Sequence, residues 1–260
     1  GGRLGRLRNA GGYAVSDLVL RPIDRTLARH AAEWGLAPDD GMSPLLQVAQ
    51  CPASLDFPRE DLPGAFRYGA PWRSAEPALD PPGSDGRPLI FCSLGTLQGS
   101  RKALFASMTQ ACAMIGARAV VAHGGGLSDA DAAALPGDPL VRAFWPQTSL
   151  LPHCRAAILH GGFNTVLDTL AAGLPIVAVP IAFEQPATAA RLERIGAGVV
   201  VRWQGATARR LATALQRVLG DPAYAAAAAL VRDDLRRDAG ASGTAAAISA
   251  AFAGALPPVA

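Results

Sequence analysis

Short, continuously apolar runs alternate with stretches of helical periodicity over residues 89–260. Strands buried on both faces show such runs, and amphipathic helices repeat apolar residues every three to four positions. The expected strands are 89–94, 117–122, 140–145, 156–160, 176–180 and 198–203. The expected helices are 101–116, 128–135, 164–170, 187–195, 209–219, 224–237 and 245–254. This alternation predicts an α/β fold in which helices cover both faces of a parallel sheet.

The first third of the chain has a different pattern. Residues 1–35 combine a basic start with apolar positions at helical spacing, which predicts a helix that ends near Gly35. Two short strands are expected at 44–50 and 64–70, and neither makes a complete domain. Residues 71–88 are rich in Pro and Gly and therefore predict an interdomain linker. The basic start, with Arg3, Arg6 and Arg8, is interpreted as a solvated face rather than a lipid contact.

Small and hydroxyl-bearing residues follow the first expected strand. Ligands of parallel sheets bind beyond the carboxyl ends of the strands, and Ser93 and Thr96 lie at such an end. Their hydroxyls could donate to a phosphate that the nearby backbone approaches. Glycines 124–126 follow the second expected strand. We interpret that run as a turn and leave it out of the site.

An aromatic pair ends the expected strand 140–145, just before Gln147. A ring at a strand end can stack on a nucleobase, whereas a buried ring only packs in the core. Phe144 and Trp145 are both candidates for the stacking ring. In either case Gln147 would lie close to the base or the ribose.

The strongest signal follows the expected strand at 156–160. His160 ends that strand, Gly161 and Gly162 make a turn, and a helix begins near Asn164. The first turn of a helix leaves backbone N–H groups without intrahelical partners, and the helix dipole favours an anion there. His160, Asn164 and Thr165 add side-chain donors at the same place. The sequence therefore predicts an anion site.

Residues that suit sugar hydroxyls lie beside the predicted anion site. Asp168 follows Asn164 by four positions and so shares its helix face. Its carboxylate could accept from sugar hydroxyls next to a phosphate at the helix start. Glu184 and Gln185 follow the strand at 176–180, where an acceptor and an amide side by side can bracket neighbouring hydroxyls of a hexose. The combination indicates a nucleotide diphosphate.

The same residues resemble the donor-binding signature of UDP-glycosyltransferases with the GT-B fold. The signature is HGGFNTVLDTLAAGLP at 160–175 with EQ at 184–185. The chain is also similar to bacterial carotenoid (zeaxanthin) glucosyltransferases in SLGTLQGSR at 93–101, AHGGGLS at 122–128 and PLLQVAQCPASLDFPR at 44–59. The resemblance covers nearly the whole chain.

The resemblance implies a GT-B architecture and an inverting transfer reaction. Residues 89–260 would be the C-terminal, Rossmann-like nucleotide-sugar-binding domain, and 1–70 the tail end of an N-terminal acceptor-binding domain. The enzyme would move a hexose, with glucose expected, from a UDP-sugar co-substrate to a hydroxyl without a metal or a cofactor. The family's base is a histidine near the start of the N-terminal domain. We expect it outside this chain, which we interpret as a fragment that is inactive alone.

The resemblance also assigns roles to single residues. The stacking ring lies three residues before the glutamine in the family, which selects Phe144, where many relatives have Trp. Glu184 stands where the family usually has Asp, and His123 and His153 match no contact position and are interpreted as structural. The expected donor-binding residues are Ser93, Thr96, Phe144, Gln147, His160, Gly161, Gly162, Asn164, Thr165, Asp168, Glu184 and Gln185.

The expected partners follow from the resemblance and from composition. They are a UDP-sugar donor and a lipophilic hydroxylated acceptor, with a carotenoid such as zeaxanthin expected, for a cytoplasmic protein in peripheral contact with the inner face of the membrane. A net charge of +3 and the lack of any nucleic-acid-binding motif argue against nucleic acid. The four cysteines have no C-x-x-C spacing, so free, buried thiols are expected.

Other functions remain open at this point. The donor signature fits glycosyltransferases of macrolides, sterols or flavonoids as well as those of carotenoids. A non-catalytic nucleotide-sugar-binding subunit of a split enzyme is a second alternative. A dinucleotide oxidoreductase would show G-x-G-x-x-G after the first strand and an acid after the second. The chain has SLGTLQG and His123 there, which fits neither requirement.

Overall fold

The structure is a computed structural model that describes residues 3–37, 41–80, 83 and 85–255. Residues 81, 82 and 84 of the predicted linker lie outside the described residues, as do 1–2, 38–40 and 256–260 of the predicted flanking domains and the side chain of Arg3. The chain forms two compact units, Gly1–Pro44 and Leu45–Ala260. The predicted domain boundaries near residues 70 and 88 stay predictions.

The first unit contains the helix α1, Arg3–Glu33. It confirms the helix predicted within residues 1–35. Gly35 follows it with φ +67°, the left-handed conformation that glycine adopts most readily after a helix. Arg6 and Arg8 are exposed, in agreement with a solvated basic face.

The second unit is built on parallel strands and covering helices. The strands are β1 Gln47–Ala49, β2 Phe66–Tyr68, β3 Leu89–Ser93, β4 Arg118–Ala122, β5 Leu140–Arg142, β6 Cys154–Leu159, β7 Ile176–Ala178 and β8 Gly198–Val200. The helices are α2 Lys102–Met114, α3 Asp129–Ala133, α4 Gln147–Leu150, α5 Phe163–Ala171, α6 Gln185–Ile195, α7 Ala208–Gly220, α8 Pro222–Arg237 and α9 Gly240–Ala255. A two-stranded sheet pairs β1 with β2, and the main sheet has six strands.

The order of the main sheet is β5-β4-β3-β6-β7-β8, and every pair is parallel. The chain therefore winds outward in one direction from β3 and, after crossing to β6, in the other. Such a reversal opens a crevice beyond the carboxyl ends of the two central strands. Ser93 pairs with Leu159 at those ends. The parallel sheet confirms the predicted α/β, Rossmann-like fold class.

The central strands are buried on both faces, which explains their uninterrupted apolar runs. On β3, Ile90 and Cys92 join the core beneath α2 and α7, whereas Leu89 and Phe91 join the core beneath α5 and α8. All five residues of β3 are buried. Helices on the two faces therefore hold the strand ends that form the crevice.

Several element boundaries differ from the prediction. The strand β5 ends at Arg142 rather than at residue 145, because its partner β4 ends at Ala122, opposite Arg142. The strand β7 ends at Ala178, two residues before Pro180, which has no N–H for a ladder. The four-residue helix α4 was not predicted, since one turn is too short to show periodicity.

The segment that carries β1 and β2 packs against the helices of the main sheet. Leu55 is fully buried. Asp56 accepts from Arg191 Nε of α6 at 2.9 Å and from the Tyr68 hydroxyl at 3.0 Å. Burial is the largest single effect on Asp56 and raises its pKa, but these hydrogen bonds together hold that pKa below its usual value. The ion pair with Arg191 thus anchors the segment on α6.

The cysteines behave as the sequence predicts. All four are free and buried: Cys51, Cys92, Cys112 and Cys154. Burial raises the pKa of the Cys154 thiol to about 12, so it is unreactive at neutral pH.

None of the helices in the described part of the chain is both long enough and apolar enough to cross a membrane.

Candidate functional site

A cavity of about 560 Å³ opens at the carboxyl ends of β3 and β6. Three segments line it: residues 95–98 after β3, the turn after β6 with the first turn of α5, and residues 183–185, where α6 begins. The predicted site residues that line it are Thr96, His160, Gly162, Asn164, Thr165, Glu184 and Gln185. These seven come from three separate segments of the chain, which the reversal of strand order brings together.

His160 is the most unusual side chain of the cavity. It is 8% exposed, and its backbone N–H donates to Ser93 O at 3.3 Å. Its Nδ1 atom is the one fully buried side-chain N or O atom of the described residues that has no hydrogen-bond partner. Burial lowers the pKa of His160, against smaller raising effects from the Ser93 backbone and the charge of Glu184. The imidazole is therefore held neutral with an unused ring nitrogen, which a ligand could satisfy.

Glycines let the backbone approach this imidazole closely. Gly95 has φ +68°, and a Cβ there would lie 2.8 Å from His160 Nε2. A Cβ on Gly162 would lie 2.5 Å from the same atom. Gly162 is also the N-cap of α5 and makes no side-chain capping bond. The first turn of α5, whose N–H groups lack a side-chain cap, therefore begins next to Nε2 of the His160 imidazole.

The loop before α6 is held by Gln185. This residue is 3% exposed, and its Oε1 accepts from the backbone N–H groups of Ile181 and Ala182, both at 2.9 Å. Glu184 is exposed and lines the cavity. Phe183 is 70% exposed and has φ +55°, a conformation that is strained for an aromatic residue. The amide oxygen of Gln185 thus shapes the loop that presents Glu184.

Asp168 lies beside this cavity but does not line it. Its Oδ1 accepts from Arg73 Nε at 2.7 Å, and its Oδ2 accepts from Gln147 Nε2 at 2.7 Å. The Nη2 atom of Arg73 also donates to Asn164 Oδ1 at 3.3 Å. Since Asn164 lines the cavity, Arg73 connects the Asp168 carboxylate to the predicted anion site.

The two aromatic candidates have different surroundings. The indole N–H of Trp145 donates to Val121 O at 3.0 Å, and the Arg142 guanidinium lies 4.1 Å from the ring centroid. Phe144 is 66% exposed. A hydrogen bond and a cation–π contact therefore hold Trp145, while the Phe144 ring is exposed. The choice of Phe144 as the stacking ring stays a prediction.

The loop after β3 uses its small residues for packing. The Ser93 hydroxyl accepts from Gly95 N at 3.3 Å, so Ser93 holds this turn and does not line the cavity. A side chain at Gly126 would overlap the backbone of Gly99. His123 is 8% exposed, and its Nδ1 accepts from Leu127 N at 3.1 Å. Gly126 thus allows close packing of the loop after β4 against Gly99 of the loop after β3, and His123 holds the loop after β4.

Sequence reasoning missed two residues of this region. Arg73 lies in a Pro-rich segment without periodicity, and its partner Asp168 is 95 positions away, so no local signal could indicate the pair. Phe183 precedes the predicted Glu184 but shows its positive φ only in the structure. Within the described ranges, no group of three or more potential metal ligands lies together. Metal and cofactor independence stay predictions.

Comparison with known proteins places this geometry in a family. Residues 108–248 match the family described as Erythromycin biosynthesis protein CIII-like, C-terminal domain. A zeaxanthin glucosyltransferase from Pseudescherichia vulneris is 39% identical over 246 residues, which are 92% of this chain and 59% of that protein. The chain thus spans about three fifths of the length of this relative.

Solved structures share the fold. A calicheamicin glycosyltransferase superposes with a TM-score of 0.78 at 24% identity, covering 99% of this chain and 67% of that one. The glycosyltransferase VinC, crystallised in complex with dTDP, has a TM-score of 0.68 at 24% identity and covers 89% of this chain and 58% of its own. The chain belongs to the Erythromycin biosynthesis protein CIII-like C-terminal domain family, with the GT-B fold of glycosyltransferases.

Proposed function

We propose that this chain forms the donor-binding part of a UDP-glycosyltransferase. The enzyme transfers a hexose, glucose in this hypothesis, from a UDP-sugar to a hydroxyl of an apolar acceptor. The observation that carries the proposal is the buried, unpartnered Nδ1 of His160, in a cavity whose wall includes the start of α5. A diphosphate there would give the ring nitrogen and the first-turn N–H groups their missing partners.

The proposed reaction is a single displacement at the anomeric carbon. The acceptor oxygen forms a bond to that carbon as the bond to the diphosphate oxygen breaks, so the configuration inverts. The acceptor proton passes to a base, which the resemblance assigns to a histidine of the N-terminal domain. His160, Asn164 and Thr165 would stabilise the charge that develops on the leaving diphosphate, together with the helix dipole. Fixed donors of this kind can replace a metal ion.

The nucleotide assignment is tested by titration of UDP and dTDP into the chain by calorimetry. A ribose role for Asp168 requires UDP to bind more tightly, because dTDP lacks the 2′-hydroxyl. Asp168→Ala should weaken UDP binding by on the order of 1–3 kcal/mol, the range for a polar group that loses its hydrogen-bond partner. Equal affinities, or tighter dTDP binding, would contradict the ribose role. The dTDP complex of VinC makes this comparison informative.

The acceptor hypothesis is a hydroxylated carotenoid such as zeaxanthin. It is supported by 39% identity to a zeaxanthin glucosyltransferase, which extends over 92% of this chain. Such an acceptor is a long apolar rod, so we infer a cytoplasmic enzyme that meets the membrane surface peripherally. The family description names erythromycin biosynthesis, which favours another lipophilic acceptor as the second candidate.

Pigment analysis separates the two acceptor classes. The complete gene is expressed in cells that accumulate zeaxanthin, and the extracted pigments are examined for glucosides. Glucosylated zeaxanthin is the expected result. Unchanged zeaxanthin, with glucosylation of a macrolide or phenol by the same lysate, would refute the carotenoid hypothesis and leave the donor chemistry standing. Nucleotide-sugar binding without any transfer would instead favour a binding subunit.

A further inference from the structure

We propose that Arg73 is a positioning residue that fixes Asp168 for recognition of the ribose 2′-hydroxyl. The inference rests on the proposed nucleotide site and adds a residue to it from outside the donor signature. Arg73 belongs to the Pro-rich segment between the β1–β2 sheet and β3. Through Arg73, this segment would contribute to the nucleotide specificity of the donor site and would not only connect β2 to β3.

The contacts of Arg73 form a fork across one face of α5. Its Nε donates to Asp168 Oδ1 at 2.7 Å, while Nη2 reaches Asn164 Oδ1 at 3.3 Å and Asn164 O at 3.4 Å. The side chain of Asp168 is 10% exposed and that of Arg73 29%. A planar guanidinium can hold two acceptors in a fixed relation, which an ammonium cannot do. Arg73 thus fixes the position of the Asp168 carboxylate relative to Asn164, which lines the cavity.

The Asp168 carboxylate keeps capacity for a ligand in this arrangement. Each carboxylate oxygen can accept two hydrogen bonds. One acceptor position on Oδ1 is used by Arg73 and one on Oδ2 by Gln147. A position on each oxygen is left, which suits a pair of neighbouring hydroxyls. Arg73 and Gln147 therefore hold the carboxylate from two sides without exhausting it.

The segment around Arg73 is fastened on both sides. The backbone N–H of Trp72 donates to Gln50 Oε1 at 3.0 Å. Three residues after Arg73, Glu76 Oε2 accepts from the N–H and the hydroxyl of Thr148 at the start of α4, both at 2.6 Å. These anchors restrict the backbone that carries Arg73, so the guanidinium is held over α5 and not merely attracted to it.

The test compares the affinities of UDP and 2′-deoxy-UDP, which differ in one hydroxyl. For each variant the ratio of the two dissociation constants is measured by calorimetry. The unaltered chain should prefer UDP by about tenfold, the value of one hydrogen bond to a charged group. Arg73→Ala should bring the ratio below about threefold by weakening UDP binding, because an unfixed carboxylate gains less from the hydroxyl. Arg73→Lys keeps the charge and should restore the preference in part.

A matched control is provided by the ion pair between Arg191 and Asp56. Its N–O distance is also 2.7 Å, and the side chains are 25% and 11% exposed, close to the values for Arg73 and Asp168. Arg191→Ala removes a comparable pair that anchors the β1–β2 segment. It should lower the melting temperature and leave the ratio of dissociation constants unchanged.

Three results would overturn the inference. An unchanged ratio in Arg73→Ala, with UDP still bound and preferred, would leave the proposed function intact and reduce Arg73 to a structural contact. Tighter UDP binding by Arg73→Ala would mean that the guanidinium occupies the place of the nucleotide. Failure of the unaltered chain to bind UDP at all would overturn the proposed function together with this inference.

Discussion

The candidate donor site has two ends, proposed for the phosphate and for the ribose, and their hydrogen bonds are satisfied in opposite ways. At the phosphate end, the buried Nδ1 of His160 has no partner within the described part of the chain, and α5 starts without a side-chain cap. At the ribose end, both oxygens of Asp168 already accept bonds of 2.7 Å from Arg73 and Gln147. One end is left incomplete, and the other is assembled in advance.

The difference follows from what each ligand group brings. A diphosphate is an anion with many acceptor oxygens, so donors that have no partner in the free protein can bind it. An unpaired buried nitrogen costs about 1–3 kcal/mol in the free protein, and ligand binding can remove that cost. A ribose hydroxyl is neutral, so the helix dipole and nearby charges contribute little to its binding free energy. Its recognition depends on a carboxylate in a set position, which requires other side chains to hold that carboxylate.

The largest expected effect comes from removing the imidazole at the incomplete end. His160→Ala should weaken UDP binding about 10- to 100-fold, as expected for the loss of a hydrogen bond to a charged group. The folded state should survive, because the described structure gives Nδ1 no internal hydrogen bond to lose. Calorimetric titration gives the affinity, and a thermal melt shows whether the variant is folded.

His123 supplies the matched control for this variant. Both histidines are 8% exposed, but His123 Nδ1 accepts from Leu127 N within its own loop. His123→Ala should therefore lower the melting temperature while the folded protein binds UDP normally. If His160→Ala gives that same result, His160 is structural and the phosphate end is wrongly assigned.

The next effect concerns the fit between the glycine turn and the imidazole. Gly162 has φ −60° and ψ 127°, so alanine suits its backbone, yet a Cβ would lie 2.5 Å from His160 Nε2. Gly162→Ala should lower the free energy of unfolding by about 1–3 kcal/mol, the usual range for overpacking. The variant is measured by urea denaturation.

A double-mutant cycle identifies the source of that loss. In a His160→Ala background the ring is absent, so Gly162→Ala should have almost no effect on the free energy of unfolding. The coupling energy should then approach the whole loss seen in the single variant. Equal losses in both backgrounds would show that the glycine is required for another reason, such as the geometry at the start of α5.

Local patterns indicated the residues that the structure brings together at the proposed phosphate end, but they missed Arg73 at the proposed ribose end. His160, Asn164 and Thr165 are close in sequence, and a strand followed by glycines and a helix start has a recognisable chemistry. The parallel sheet was equally accessible, since continuous apolar runs indicate strands buried on both faces. Arg73 was not predictable, because it lies 95 positions from Asp168 in a segment without periodicity.

The segment at 44–59 shows a different limit of sequence reasoning. Its resemblance to carotenoid glucosyltransferases supports the acceptor hypothesis, but much of it is used for packing. Leu55 is fully buried, and Arg194 of α6 donates to the carbonyl oxygens of Ser54 and Leu55 at 3.2 and 3.1 Å. Similarity in this segment therefore has an explanation in the fold, and only the pigment experiment addresses the acceptor directly.

The smallest expected effect is a pH dependence confined to the incomplete end. Burial lowers the pKa of His160 in the free chain, so the ring is neutral at neutral pH. A bound diphosphate would raise that pKa, and binding would then take up a proton. UDP affinity should increase as pH falls from 8 to 6.5, by roughly threefold and by no more than about tenfold per pH unit for one proton.

The stability of the free chain should change in the opposite direction. Because the folded-state pKa of His160 lies below the unfolded value of 6.5, its contribution to stability is complete above that pH and is lost as pH falls through the folded-state pKa.

The pH dependence of UDP affinity needs a reference, because the phosphate of UDP itself titrates near pH 6. His160→Ala is that reference. The logarithm of UDP affinity is plotted against pH for the unaltered chain and for His160→Ala, and the difference between the two slopes is the contribution of the histidine. Parallel slopes would mean that no proton is taken up at His160, and that the ring meets the ligand as a neutral donor.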